Sequence, residues 1–275
     1  MMLRSFLSLV VLTTLLTIPR HAEAQGLSPR VEALETAVLA LQDQSASQQD
    51  TIRRLRRRLR QVENNPVLAL SPHVMVMSGD LQGVTGPHII FKGANVHIQS
   101  GSGTTHEFSS LTGLGNLIVG YNENFGDASI LANRFGSHNV VIGVSHQFLG
   151  TAGFVAGESN TISDAAASVM GGAANTASAF SATVSGGSGG TASGIGSSIA
   201  GGQGGIASGN WSHISNGLRN TASGTDSTVS GGRDNIASAE WSVVSGGIDN
   251  EANATAATVS GGSGVTTNVP NSHVP

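Results

Sequence analysis

A repeat of fifteen residues in the C-terminal half of the chain constrains its fold more strongly than any other feature. Every unit starts with an aliphatic residue, has Gly at its fourth position, and has Ala at its ninth position in all units but the last. Asn occupies the seventh position in four of the seven units. A short, unbroken period with fixed apolar, Gly and Asn columns predicts a solenoid. The units start at Val169, Val184, Ile199, Ile214, Val229, Val244 and Val259.

The units predict short strands rather than helices. Gly in a helix interior costs about 1 kcal/mol relative to Ala, and every unit carries Gly at a fixed position. Stretches such as "TVSGG" instead predict a strand that runs into a turn where Gly supplies the positive φ, and stretches such as "NTASG" predict a second strand. We therefore expect an all-β fold, a parallel β-solenoid with 15-residue coils. Ladders of like residues between stacked coils are expected at Asn175, Asn220, Asn235, Asn250, Gly187, Gly232 and Gly247.

The small interior expected for such coils favours association of several copies. Ordering fifteen residues costs on the order of 20 kcal/mol, whereas burying one Val contributes only about 1.5–3 kcal/mol, so a single coil cannot fold alone. Aromatic residues make up only 4% of the chain. Trp211 and Trp241 occupy one column two coils apart and are candidates either for packing between copies or for binding a sugar or another partner. Packing is the interpretation we favour, because an oligomer must bury something larger than Ala.

Residues 25–66 carry the heptad pattern of a coiled coil. Apolar residues recur at spacings of three and four, Ser28 and Pro29 favour a helix start, and "NNP" at residues 64–66 favours its end. So narrow an apolar seam needs partner helices, and we therefore expect a homo-oligomer. The seam consists of Val31, Leu34, Val38, Leu41, Ser45, Gln48, Ile52, Leu55, Leu59 and Val62.

This segment also holds six of the 13 basic residues of the chain, in the stretch "RRLRRRLR" from Arg53 to Arg60. Clustered Arg attracts anionic lipid or polysaccharide, which is one interpretation of the stretch. The other interpretation is the solvated flank of a coiled coil, which we favour because Ile52, Leu55 and Leu59 continue the seam through the cluster.

Residues 1–24 have the pattern of a secretory signal peptide. A basic start precedes an apolar run, and "AEA" ending at Ala24 matches the small-x-small cleavage rule. We expect cleavage near Gln25 and no transmembrane segment in the remaining chain. The expected location is extracellular, at the cell surface, or in the periplasm.

Residues 67–150 predict an irregular β cap. Short aliphatic stretches alternate there with Gly, Asn and Pro, and a cap is needed to cover the first edge of the repeats at 151–275. This segment holds six of the aromatic residues and is therefore a candidate binding region. Rings that fill the core of the cap are the simpler explanation.

The repeats across residues 155–265 share a sequence pattern, seen in stretches such as "SVMGGAANTAS", "TVSGGRDNIAS" and "VVSGGIDNEAN". These stretches resemble the head repeats of YadA-like trimeric autotransporter adhesins. The resemblance implies a left-handed parallel β-roll, a homotrimer, secretion by a Gram-negative bacterium, and binding to a cell surface, a matrix or a glycan. It does not include the C-terminal membrane anchor of that family, and here the helix precedes the repeats, whereas the family's stalk follows its head.

No pattern of catalytic or metal-binding residues stands out. The chain has no Cys, and the spacing of its nine His residues matches no ligand motif. Nucleophile elbows, phosphate-binding loops and paired carboxylates at a defined spacing are also missing. We expect a secreted, non-catalytic, surface-structural or adhesin-like protein with no cofactor and no metal. The net charge of −4 argues against nucleic acid as a partner.

An alternative function comes from hydroxyl groups on the outer face of the second strand. A regular array of Thr and Ser resembles the binding face of some solenoid antifreeze proteins, which predicts a solenoid that binds ice or another ligand. Ile206, Ile236 and Glu251 interrupt the Thr column. The array comprises Thr176 and Ser178, Thr191 and Ser193, and Thr221 and Ser223.

Overall fold

The computed structural model describes residues 27–107, 110–124 and 128–275. The chain divides into two units, one ending at Asn95 and the other spanning Val96–Pro275. The predicted signal peptide lies outside the described residues. The long helix and the repeats therefore belong to different units.

The described part of the first unit contains one long helix, which confirms the predicted N-terminal helix. This helix, α1, spans Leu27–Glu63. Asn65 then caps a short 3-10 helix, Pro66–Leu70, because its side-chain oxygen accepts a hydrogen bond from the Val67 amide at 3.0 Å. Proline fits this first position because its missing N–H would have no helical partner there. Within the described residues, no helix has the length and apolar character needed to cross a membrane.

An antiparallel hairpin follows in the same unit. Strand β1, Val74–Met77, pairs with strand β2, His88–Phe91, so that Val74 lies opposite Phe91. The Lys92 amide extends the pairing by donating to the His73 carbonyl at 2.8 Å. Part of the segment predicted as a cap for the repeats thus lies in the first unit.

The second unit is a parallel β-solenoid, as the repeat predicts. Two sheets run along the stack, with 11 strands in the first and 9 in the second, and the described pairs in both sheets are parallel. At about 4.8 Å per step, the 11-stranded sheet extends roughly 48 Å. The first sheet contains β3 (Leu117–Val119), β4 (Val140–Val144), β6 (Phe154–Glu158), β8 (Ser168–Val169), β10 (Thr183–Val184), β12 (Ser198–Ile199), β14 (His213–Ile214), β16 (Thr228–Val229), β18 (Val243–Val244), β20 (Thr258–Val259) and β22 (His273–Val274). The second contains β5 (Gln147–Phe148), β7 (Thr161–Ile162), β9 (Thr176–Ala177), β11 (Thr191–Ala192), β13 (Ile206–Ala207), β15 (Thr221–Ala222), β17 (Ile236–Ala237), β19 (Glu251–Ala252) and β21 (Thr266–Thr267).

Coil length follows from the register between neighbouring strands. From β8 onward each coil adds fifteen residues, as where Thr183 lies opposite Ser198. The two preceding coils, which start at Val140 and Phe154, contain 14 residues each. The first coil, from Leu117, contains 23 residues and includes a short 3-10 helix, Ala128–Asn133. One long coil and two 14-residue coils thus precede the regular 15-residue part.

The core consists of two narrow columns of inward side chains, one from each sheet, to which strand β3 contributes none because its three residues are exposed. The second sheet begins with Phe148 and Ile162 and then contributes only small residues. The first sheet supplies branched aliphatic residues throughout, and burial of these columns is nearly complete. The two columns comprise Val141, Val155, Val169, Val184, Ile199, Ile214, Val229, Val244 and Val259, and Ala177, Ala192, Ala207, Ala222, Ala237 and Ala252.

Each regular coil turns through corners with a left-handed backbone. Gly232 has a φ of 86°, and a Cβ built on it would overlap the carbonyl oxygen of Gly247 in the next coil. Glycine is required there by both the conformation and the close approach. Two further corners hold other residue types, such as Asp234 with a φ of 56° and Trp241 with a φ of 58°. Nothing in the repeat pattern predicts a bulky residue in this conformation.

Candidate functional surfaces

A buried ladder of asparagine side chains links the coils. The Asn235 side-chain oxygen accepts from the Asn250 amide at 3.0 Å, and its Nδ2 donates to the carbonyls of Gly231 and Gly247 at 2.9 and 3.0 Å. Asn175, Asn220 and Asn250 follow the same pattern. Each amide therefore bonds the main chain of its own and the following coil, which makes these residues structural. The predicted glycine ladder at Gly187, Gly232 and Gly247 lies beside it, where each Gly approaches the next coil.

His146 takes the place of Asn in this ladder, which the sequence analysis missed. Its amide donates to the Asn122 side chain at 2.8 Å, and its Nδ1 accepts from the Asn160 amide at 3.2 Å. Its Nε2 lies 3.0 Å from the Ile142 carbonyl and therefore carries the proton. Burial lowers the pKa of the His146 imidazole, and the positive charge of Arg134 acts in the same direction. The neutral ring is thus the form that the ladder requires.

A buried carboxylate lies near the start of the solenoid, within a cage of hydroxyl and amide donors. Glu107 accepts from the Ser100 hydroxyl, from the Thr112 amide at 2.9 Å and from the Thr112 hydroxyl at 3.0 Å. These hydrogen bonds, led by the one from Ser100, hold the pKa of Glu107 well below its usual range, although burial acts in the opposite direction. The carboxylate organises the loop through its donors and has no cation beside it among the described residues.

A cleft of about 380 Å³ opens beside this loop. His97, Thr104 and His138 are among the residues that line it. The His138 Nε2 accepts from the Ser100 amide at 3.2 Å, while its buried Nδ1 has no partner in the described part of the chain. No group of three or more His, Cys, Asp or Glu residues converges anywhere in the described ranges. The cleft therefore offers hydrogen-bonding groups to a polar ligand.

Both tryptophans lie on the outside of one solenoid edge. Trp211 is 60% exposed and Trp241 is 54% exposed. The Trp211 ring covers the main chain of Gly196 in the preceding coil, where a Cβ would overlap it. Phe180 and Ile195 are also about half exposed, and Ile195 is joined to Trp211 by a main-chain hydrogen bond of 2.8 Å. These side chains form an apolar stripe that a single chain leaves in contact with solvent, and the exposed Asp226 interrupts it between Trp211 and Trp241.

The outer hydroxyl face follows the register of the second sheet. Thr161, Thr176 and Thr191 lie opposite one another in three successive coils. Ile206 lies opposite Thr191 and ends this run. The array predicted for ligand binding is therefore continuous only from Thr176 to Thr191 and is interrupted by Ile206 before Thr221, whereas Thr161, which the prediction does not include, extends the row by one coil.

The predicted coiled-coil seam is exposed along α1. Its eight apolar side chains are between 41% and 56% exposed in the single chain. So much apolar surface on one helix is typical of a face that packs against partner helices. Every residue of the arginine stretch on the same helix is exposed.

An ion pair joins two neighbouring coils on the solenoid surface. Arg219 donates two hydrogen bonds of 2.7 Å to the two carboxylate oxygens of Asp234. The hydrogen bond from Arg219 lowers the pKa of Asp234, and the same bond raises the pKa of Arg219. Both residues occupy left-handed corners fifteen residues apart, so the repeat itself places them side by side.

The chain matches no protein-family model, and no curated protein matches it significantly.

Proposed function

We propose that the protein is a secreted, non-catalytic, surface-structural or adhesin-like protein that acts as a homotrimer, with a YadA-like β-roll as its head. The observation that carries this proposal is the exposed heptad seam of α1 in a chain whose other unit is a regular solenoid. A parallel solenoid with 15-residue coils is compatible with such a β-roll. The stack supplies a stiff scaffold, and the seam supplies the means to bring copies together.

The apolar stripe at Trp211 and Trp241 supports the same assembly. When copies associate, the exposed tryptophans bury apolar surface that the narrow core of one chain cannot supply. Aromatic residues are enriched at the interfaces where proteins associate. Helices joined through the seam bring several solenoids close together, which raises the effective concentration of the stripes for one another. A cell surface, a matrix or a glycan remains the proposed target of the assembled head.

The test is the mass of the full chain in solution, measured by multi-angle light scattering. Replacing Leu34 and Leu41 with Gln is expected to convert a trimer to a monomer, because both lie on the seam. Leu39→Gln is the matched control, since Leu39 is 61% exposed but lies beside the seam. A monomeric parent protein, or equal loss of mass in the control, would refute the assembly.

The role of the tryptophans is tested separately. If the stripe packs between copies, replacing Trp211 and Trp241 with Ala lowers the stability of the trimer towards dilution. If the stripe binds a glycan instead, the trimer is unchanged and binding on a glycan array is lost. Light scattering and the array on the same variant distinguish these outcomes.

The hydroxyl face supports a second candidate function, binding of ice or another extended ligand. Thr161, Thr176 and Thr191 form an uninterrupted outward row, which is the observation in its favour. An assay of ice-crystal growth tests it: a shape change that Thr176→Lys abolishes supports the function, and unaltered crystals refute it.

A further inference from the structure

The arginine stretch, residues 53–60, is an unusually dense cationic surface on α1. It holds six guanidinium groups, and every residue in it is exposed. Eight helical residues extend about 12 Å, so one positive charge lies at about every 2 Å of the helix axis. Duplex DNA carries one negative charge per about 1.7 Å, a density that condenses counterions. The stretch therefore approaches, with opposite sign, the linear charge density of a polyelectrolyte.

These charges are largely uncompensated. Arg53 lies 3.4 Å from Asp50, with both side chains at least 70% exposed. The other five arginines form no ion pair with any described residue. The whole chain nevertheless carries a net charge of −4, so its basic character is local to this segment. Local charge of this kind binds an anion without attracting it to the rest of the protein.

The heptad positions keep much of this surface open in an assembled helix. The apolar seam passes through Ile52, Leu55 and Leu59, and four arginines lie at positions facing away from it. These four lie within a sector of about 120° on the side of the helix opposite the seam. A linear anionic chain that runs along this side can contact all four of them. The outer arginines are Arg53, Arg54, Arg57 and Arg60.

Arginine also selects the chemistry of the partner. Its planar guanidinium presents a rigid fork of donors that matches the oxygens of phosphate and sulfate, and it is always charged. We propose that the arginine stretch of α1 binds a linear polyanion with closely spaced phosphate or sulfate groups. This binding depends on the helix alone and does not require the proposed adhesin-like function.

The test measures binding of the full chain to fluorescent heparin oligosaccharides and to polyphosphate of matched length, by anisotropy across a salt series. The variant carries Arg54→Gln, Arg57→Gln and Arg60→Gln, which leaves the seam intact. We expect its affinity to fall about 100-fold at 0.1 M salt. The slope of log K against log salt is expected to decrease in magnitude by about 2–3, because three counterion-releasing contacts are lost. Comparison of the two polymers distinguishes a sulfated from a phosphorylated partner.

The matched control changes the net charge by the same amount elsewhere on the helix. It carries Ala33→Glu, Ala46→Glu and Ser47→Glu, all at exposed positions outside the seam. We expect less than a threefold loss of affinity, and circular dichroism checks that both variants remain helical. The proposal is overturned if neither polymer binds, if the control loses as much affinity as the arginine variant, or if only vesicles of anionic lipid bind.

Discussion

In two coils the ladder position holds Gly instead of Asn, and the core residue beside it is Ile instead of Val. This pairing predicts that the effects of substitutions at the two positions on stability are coupled. At Gly190 the ladder side chain is missing, and a Cβ built there would lie 3.5 Å from Cδ1 of Ile199. Gly205 and Ile214 repeat this arrangement at the same distance. Where the ladder holds Asn, as at Asn235, the corresponding core residue is Val. The extra methyl group of Ile thus lies beside the position of the missing amide.

The same arrangement of Gly and Ile can be introduced at the ladder position of Asn235 by combining Asn235→Gly with Val244→Ile. Asn235→Gly removes three buried hydrogen bonds, each worth about 1 kcal/mol net, so it is expected to cost about 3 kcal/mol or more. Val244→Ile alone overpacks a filled core and is expected to cost about 1–3 kcal/mol. In the Asn235→Gly background the same methyl group fills a void and is expected to stabilise by about 1 kcal/mol. The predicted coupling energy is therefore about 2–4 kcal/mol.

Urea unfolding of the parent, both single variants and the double variant measures this coupling, with far-UV circular dichroism as the signal. The dependence of unfolding free energy on urea must stay the same in all four proteins for the energies to be comparable. Val184→Ile serves as the control partner for Asn235→Gly, because it lies several coils away and is expected to show no coupling. Equal effects of Val244→Ile in the two backgrounds would refute the reasoning.

Three further predictions test the polar interior and the corners. Stability of the second unit is expected to fall as the pH decreases from about 6.5 through the lowered folded-state pKa of His146, because the unfolded chain binds the proton first. His146→Asn should flatten this part of the curve of urea midpoint against pH. An unchanged slope contradicts the assignment. Ser212→Ala is expected to be neutral or to stabilise the protein by up to about 1 kcal/mol, because the buried Ser212 hydroxyl has no described partner. Ser242→Ala removes a 2.6 Å hydrogen bond and should lower the free energy of chemical unfolding by about 1 kcal/mol. Equal effects of the two substitutions would count against this distinction. Gly232→Ala is expected to destabilise the protein by more than about 3 kcal/mol, measured by calorimetry, because the new Cβ would overlap the next coil. Gly231→Ala places its Cβ in open space and should change stability by less than about 1 kcal/mol. A tolerated Gly232→Ala is the contrary result.

The solenoid is predictable from sequence because every coil reuses one backbone geometry. A position such as Gly232 must satisfy the same φ and the same close approach in each turn, so its identity recurs at the period of the fold. His146 escapes the same reasoning for two reasons. His146 lies in a 14-residue coil, so it does not align with the 15-residue repeat. Its imidazole also occupies the ladder position where other coils have an Asn side chain. Its position 14 residues before Asn160 is the signal that could have identified it.

The region before the regular coils is less predictable because its contacts have no period. Glu107 is held by donors on both sides of it in sequence, at Ser100 and Thr112, and nothing in the spacing of these residues indicates a buried carboxylate. The pairing of Leu117 with Val140 encloses 23 residues, so this coil cannot be recognised by comparison with the others. Sequence patterns identify elements that repeat, whereas a single irregular coil depends on contacts that occur once.

The narrow core also determines where the chain can recognise a partner. The buried side chains of the regular coils are only Val, Ile, Ala, Ser, Thr and Asn, so a larger ring has no place inside. The aromatic residues after Val169, which are Phe180, Trp211 and Trp241, accordingly lie outside and are between 46% and 60% exposed. Their apolar area is then available for contact with another copy or a ligand, and the left-handed corner fixes the direction in which each Trp leaves the coil. The same small interior that makes the stack regular therefore places its largest side chains at the surface, where association can bury them.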